Sequence, residues 1–368
     1  MPFVRTFLSR LAEERLLLVL LLALAALLLL APQGPAALNE LIDWRTIAAL
    51  AGLLVLSRGL EDSGSLARAG QGLLSRVQSE RALAAALVLF SALLAMLVTN
   101  DIALFIVVPL TLGLGRVVPS LPVGRLVIFE AFAVNAGSTL SPVGNPQNLF
   151  LWQSSGAGFA EFALTMLPLA GALMALLLAL LPFAFRARPL AIADISGHMP
   201  LDRKLAALSL ALYAPFLIAV ELGHAAWAAI AIITLYLGVA RKVLRGVDWP
   251  LLLIFVLMFV DLGLLAGLPA IATQLPALFS LPGGLLSAGA LLSQGISNVP
   301  ATIFLASFSD DWRTLAWAAA VGGFGTAIGS LANLIALRLS RQPGLWREFH
   351  LWSLPLLVCA WALAAWLL

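Results

Sequence analysis

Sulfhydryls, histidines and charge are all in short supply in this chain. A single cysteine, Cys359, occurs in 368 residues, so neither a disulfide framework nor a cysteine-built metal centre is available. The three histidines, His198, His224 and His350, stand apart near expected helix ends, where an interfacial place suits them better than a shared metal. Charged residues make up 11% of the chain, against about 25% in ordinary soluble domains, which excludes a soluble globular fold. The strand-by-strand alternation of a transmembrane β-barrel is missing as well. No glycine-rich phosphate loop ending in Lys-Ser or Lys-Thr occurs, which argues against a nucleotide-driven pump. The net charge of +3 does not imply a nucleic-acid partner, because a membrane protein carries basic residues for orientation.

What is present is apolar, at 62% of residues. Runs such as Leu16–Leu30, Leu83–Val98 and Met166–Leu181 approach the ~20 apolar residues that a bilayer-spanning helix needs. The fold class is therefore an all-α polytopic membrane protein. Spans are expected at 16–32, 44–60, 126–153, 162–184, 205–222, 225–240, 249–268, 314–339 and 350–368. Two apolar double segments, 82–115 and 284–308, each turn at a polar centre and bring the apolar elements to about eleven. Arg5, Arg10 and Arg15 ahead of Leu16–Leu30 look like a signal peptide, but the run is long and lacks a clear small-residue cleavage site, so a retained first span is expected. If each double segment returns to its starting side, all lysines and arginines except Arg45 and Arg313 fall on one face. Positive residues mark the cytoplasmic side, which places the N-terminus inside.

The two halves match in order. Asp43-Trp44 and Asp248-Trp249 each open a span; LVTNDIALFIVVPL (97–110) parallels GISNVPATIFLASF (295–308); and AVNAGSTLSPVGNPQNLFLW (133–152) parallels AVGGFGTAIGSLANLIALRL (320–339). In the charge-based topology the matched segments run in opposite directions, which is an inverted-topology repeat of the kind secondary transporters use. The expected division is a first repeat at 1–190, a linker with a connecting helix at 191–224, and a second repeat at 225–368.

The polar stretch NAGSTLSPVGNPQN (135–148) interrupts an otherwise lipid-like helix. Backbone that leaves the helix inside a bilayer finds partners only within protein or beside water, so each such break is a candidate site. Asn145 can cap a segment led by Pro146, and Asn298 can cap one with Pro300 just inside it. Asn100 and Ser330 stand at comparable helix starts. Helix N-termini pointing at one mid-membrane volume attract anionic or oxygen-rich solutes. The candidate substrate- or ion-binding residues are Thr99, Asn100, Asp101, Asn135, Gly137, Ser138, Thr139, Gly144, Asn145, Pro146 and Asn148 in the first half. In the second half they are Ser297, Asn298, Pro300, Thr302, Gly325, Thr326, Gly329, Ser330 and Asn333. Gly137, Gly144, Gly323, Gly325 and Gly329 are expected to let backbone approach a ligand closely. Asp101 and Asp261 are intramembrane carboxylates, costly enough to be functional candidates, and are taken as candidates for proton coupling. Glu130, a turn or two inside its helix, is expected to reach the interface. No lysine or arginine lies at mid-depth.

At these motifs the chain resembles the ion-transporter superfamily, which includes arsenite permeases, citrate and dicarboxylate transporters and a sodium/proton antiporter branch. The hairpin tips Thr99-Asn100-Asp101 and Ser297-Asn298-Val299 and the breaks Gly144-Asn145-Pro146-Gln147-Asn148 and Gly329-Ser330-Leu331-Ala332-Asn333 carry the resemblance. It covers nearly the whole chain and is nearest to the arsenite-permease branch and to an uncharacterised group of bacterial inner-membrane permeases. Asp101 and Val299 stand where the carboxylate branch has threonines. The resemblance implies re-entrant hairpins, an elevator-like motion and a multi-pass protein of the bacterial inner membrane. Its partners would be membrane lipid and a small-molecule or ion substrate, with a homodimer as a candidate assembly. It implies no cofactor beyond a coupling proton or a sodium ion, the latter at the Asn100 or Asn298 tip. The expected function is secondary transport of a small anion or oxyacid-like solute, not enzymatic. The alternatives are a cation/proton antiporter and, more distantly, an intramembrane aspartyl protease using Asp101 and Asp261, whose usual Gly-x-Gly-Asp context is missing.

Overall fold

The computed structural model describes residues 15–74, 77–190 and 200–368, which fold into helices joined by short turns. Among them the only β pairing is an isolated bridge between Ser79 and Pro189. The first half runs α1 (Arg15–Leu30), a short α2 (Pro35–Glu40), α3 (Trp44–Asp62), an amphipathic α4 (Ser65–Leu74), α5 (Glu80–Leu97), α6 (Asn100–Val117), α7 (Val123–Ser138), α8 (Pro146–Ser155) and α9 (Phe159–Ala184). After α10 (Arg203–Glu221) come α11 (Ala225–Val239), a short α12 (Arg241–Gly246), α13 (Trp249–Ala266) and a short α14 (Pro269–Gln274). A 3₁₀ turn (Leu275–Ser280) leads into α15 (Gly284–Ile296), α16 (Asn298–Ala306), α17 (Trp312–Gly322), α18 (Leu331–Ser340) and α19 (Leu345–Leu367).

The helix starts follow their capping chemistry. Asp43 accepts from the Arg45 and Thr46 amides at the head of α3, and Asp248 accepts from Leu251 N at the head of α13. Ser79, Asp202 and Asp311 do the same for α5, α10 and α17. Each such side chain satisfies amides that a helix leaves without internal partners. Among the described residues six helices are long and apolar enough to cross a membrane: α5, α6, α9, α10, α13 and α19.

The two double segments differ in reach. Helices α5 and α6 have 18 residues each, about 27 Å at 1.5 Å per residue. Helices α15 and α16 have 13 and 9 residues, about 20 and 14 Å, too short to cross a ~30 Å hydrocarbon layer. The stretch 269–280, which composition did not mark as structured, forms helical turns that meet α15 at 116°. Helix α4 likewise appears within what reads in sequence as an arginine-bearing loop.

Packing between the halves is reciprocal. The first hairpin helix lies along the first part of the broken helix in both, α5 on α7 and α15 on α17. The second part of each broken helix crosses to the other half: α18 packs on α6 and α7, and α8 on α16 and α17. Helix α1 lies against α13 and α11 against α3, while α9 and α19 touch each other and both α7 and α17. A buried core runs through all of these elements, with Phe129, Phe132, Phe324 and Phe349 in edge-on and tilted ring contacts where the halves meet.

Candidate functional site

Both sequence breaks are real breaks. Helix α7 stops at Ser138 and α8 restarts at Pro146; α17 stops at Gly322 and α18 restarts at Leu331. Within the first, Asn145 caps α8 by accepting from Asn148 N at 2.9 Å, with Pro146 at the first helical position. The Asn148 amide donates to the carbonyls of Ser138, Thr139 and Ser141, and the Asn145 amide to Ser138. In the second, Asn333 likewise donates to the carbonyls of Gly323 and Thr326. An asparagine one turn into the restarted helix thus supplies partners to the frayed carbonyls before it in each half, which is what non-helical backbone inside a membrane requires.

Asn135, near the end of α7, joins the two breaks. Its amide donates to Gly323 O at 3.1 Å and Asn333 Oδ1 at 2.9 Å, and its own Oδ1 accepts from Ser330 Oγ at 3.0 Å. Asn135, Ser330 and Asn333 are all buried. The first hairpin tip joins this assembly through Asn100 N, which donates to Gly144 O at 2.9 Å.

Two local expectations, for Asn298 and Glu130, are corrected. Asn298 does not cap α16; it is that helix's first residue, and its amide instead donates to Ala319 O of α17. Asn100 and Ser330 make no side-chain cap either, Thr99 occupying the cap position of α6 without a side-chain bond and Ser330 turning to Asn135. Glu130 does not reach an interface: it is fully buried and accepts from the Thr111 hydroxyl of α6.

The glycines have protein, not open space, beside them. A Cβ on Gly137 would collide with backbone of Ala92 on α5, and one on Gly144 would lie 2.8 Å from Ala95 O and 2.6 Å from Ser138 O. At Gly325 it would enter the Gln294 amide, and at Gly329 it would meet Gly322 O at 2.6 Å. A Cβ at Gly323 would sit 3.4 Å from Asn135 Cγ. The close approach they permit is of protein to protein.

Several candidates take up local duties. Thr302 Oγ1 donates to Asn298 O within α16, and Thr139 and Ser138 hydroxyls donate to Asn135 O. Thr326 Oγ1 accepts from Gly329 N and donates to Gln294 O. Ser297 forms the second hairpin tip with φ of 73° and ψ of 154°, a conformation costly for a residue with a Cβ; Pro300 follows inside α16.

Three residues that sequence reasoning did not assign to the site support these elements. Gln294 of α15 donates to Ala290 O and Gly322 O and accepts from Thr326 N at 2.6 Å; its signal was a lone amide on an apolar helix. His350, expected as interfacial decoration, bonds Trp346 O through Nδ1 and accepts from Ala327 N through Nε2. Tyr213 of α10 donates to Leu97 O at the first hairpin tip, at 2.6 Å.

Unused acceptors remain. Asn100 Oδ1, Asp101 Oδ1, Gln147 Oε1 and both Asp261 oxygens are buried without a hydrogen-bond partner among the described residues. Asp101 also lies within electrostatic reach of Asp248, at the exposed head of α13. Asp261 lies on α13, which packs on α1 through Val260 and Leu264, and makes no hydrogen bond to the Asn135 network.

A family model described as "Citrate transporter" matches residues 11–322. The chain is 43% identical to "Inner membrane protein YbiR" of Escherichia coli (strain K12), across 98% of this chain and 96% of that one. It is 34% identical to "Uncharacterized transporter MJ0456" of Methanocaldococcus jannaschii, across 85% and 86%. Against the crystal structure of the YdaH transporter of Alcanivorax borkumensis the TM-score is 0.49 with 18% identity, covering 88% of this chain and 85% of that one.

Proposed function

Because this chain belongs to the citrate transporter family, a family of membrane transporters, we propose that it is an ion-coupled secondary permease for a small anion or oxyacid-like solute. The observation that carries this reading is the Asn135 network, which fuses a helix break from each half into one buried polar centre. The restarted helices α6, α8, α16 and α18 begin beside that centre, and their N-terminal ends favour negative charge. The nearby acceptors Asn100 Oδ1 and Gln147 Oε1 suit a coupling cation or a solute hydroxyl. Residues 1–190 and 225–368 act as repeats of opposite orientation, joined through 191–224, in a bacterial inner membrane with the N-terminus inside. Transport follows an elevator-like motion of the hairpins and broken helices against α1, α3, α10, α11 and α13.

Uptake into proteoliposomes of a panel of organic and inorganic oxyanions, citrate included, with imposed proton or sodium gradients tests this. An anion whose uptake rises with one of those gradients is expected, with Asn100→Ala and Asn298→Ala abolishing it. Asp101→Asn fixes an uncharged side chain at the tip and is expected to retain binding while losing gradient-driven accumulation, with Asp261→Asn affected less. The second reading, cation/proton antiport, is favoured by the unpartnered carboxylate oxygens of Asp101 and Asp261 in a bilayer interior without bases. Exchange of sodium for protons with no anion requirement would establish it and remove the first.

A further inference from the structure

Away from the polar centre, the other ends of α6 and α18 border an open cavity of about 700 Å³. Arg116, Arg338 and Arg341 line it, and no acidic residue does. None of the three has an ion pair or side-chain hydrogen bond among the described residues. Elsewhere Arg58 pairs with Glu61 and Asp62, Arg125 with Glu348, and Arg313 with Glu161. Arg81 donates to the terminal carbonyls of α9. Arg45, Arg68, Arg186, Arg188, Arg203, Arg245 and Arg347 stand singly among the described residues; what sets Arg116, Arg338 and Arg341 apart is that they share one cavity. The remaining wall is mostly apolar, with Leu112, Gly115, Val123 and Leu339 beside Ser340 and Gln342. Arg341 itself has φ of 50° and ψ of 25°, the left-handed helix-ending conformation that glycine adopts without steric cost. At this position Arg341 adds a third positive charge to the cavity wall, which suits a ligand of opposite sign.

We propose that this cavity binds the phosphate headgroup of an anionic phospholipid, the three guanidiniums holding the phosphate and the apolar wall the first carbons of the lipid. Guanidinium groups match phosphate oxygens in geometry and charge, and basic pockets between helices on the cytoplasmic side are suited to such headgroups. The apolar wall favours a lipid over a free oxyanion, which would gain nothing from it. The positive-inside orientation places the cavity at the inner leaflet, and that is all the inference takes from the transport reading. The helices it would clamp carry Asn100 and Ser330 at their opposite ends, so occupancy ties the membrane to both halves of the polar centre. Basic residues at helix ends also offset the helix dipole, a role that needs neither a shared cavity nor a lipid.

The test is thermal unfolding of the purified full chain in detergent, titrated with phosphatidylglycerol, phosphatidylcholine or inorganic phosphate. Phosphatidylglycerol is expected to raise the midpoint, and the other two are not. In Arg116→Ala/Arg338→Ala/Arg341→Ala the apparent affinity for phosphatidylglycerol should fall on the order of a hundredfold, from about a fivefold loss per charge. The corresponding triple lysine variant should keep most of it. Removing equal charge elsewhere, with Arg203→Ala/Lys204→Ala/Lys242→Ala, should leave the lipid response intact. An unchanged response in the triple alanine variant, or an equal loss in the control, overturns the site. A midpoint rise with inorganic phosphate alone overturns the lipid assignment in favour of a soluble anion. The readout does not involve transport, so it stands or falls apart from the substrate.

Discussion

At Asn135 one amide side chain makes three hydrogen bonds to the other half of the molecule. Asn135→Ala leaves Ser330 Oγ and Asn333 Oδ1 buried without those partners, a cost of about 1–3 kcal/mol for each unsatisfied group. A lower unfolding midpoint and loss of uptake are expected together; normal uptake would reduce the network to packing. The glycines permit a ranking. At Gly137 an added Cβ meets backbone of Ala92, which moves only if α5 moves, whereas at Gly325 it meets the end of the Gln294 side chain. Gly137→Ala should therefore destabilise more than Gly325→Ala. Gln294→Ala should partly relieve the second and leave the first untouched, as differential unfolding in detergent would register.

Among the elements, the second hairpin holds the clearest local conflict. Ser297 takes a conformation in which glycine is at home, at an expected cost of about 1–3 kcal/mol. Ser297→Gly should raise the unfolding midpoint. If the serine hydroxyl contacts solute, uptake falls while stability rises; if the residue only turns the chain, uptake is preserved. The hairpin lengths are also an element-scale fact. At 13 and 9 residues the arms of the second hairpin are each too short to cross a membrane, while the 18-residue helices of the first are about long enough. Sequence alignment of the two tips hides this difference, because the tips match while the arms do not.

For the whole molecule the decisive question is orientation. The reciprocal packing of α8 and α18 onto the opposite halves is what two units related by a pseudo-two-fold axis in the membrane plane would give. In a Cys359→Ser background, cysteines at Ser120 and Ser309 should then label from opposite sides, position 120 from the cytoplasm and position 309 from outside. Both positions lie in turns between helices, so labelling does not require unfolding. Reaction of both from one side would rule out the opposed repeats while leaving the family untouched.

The helices, the two breaks and most of the polar centre were legible in the sequence, because their causes are local. Apolar run length sets a span, and Asp43, Asp248 and Asn145 cap their own helices within three residues of themselves. Asparagine, glycine and proline in an oily run can only mark broken backbone. What tertiary structure alone decided is which partner each group found. Asn135 meets Asn333 across 198 positions, and Tyr213 meets Leu97 across 116. The Glu130 carboxyl is matched by Thr111 rather than by the interface, and the Asn298 amide by a carbonyl of α17 rather than by its own helix. Those pairings depend on how two halves dock, and a periodicity of 3.6 residues contains no information about docking. The glycines were expected to let backbone approach a ligand; what lies against them is a neighbouring helix or amide, and only the packed chain could say so.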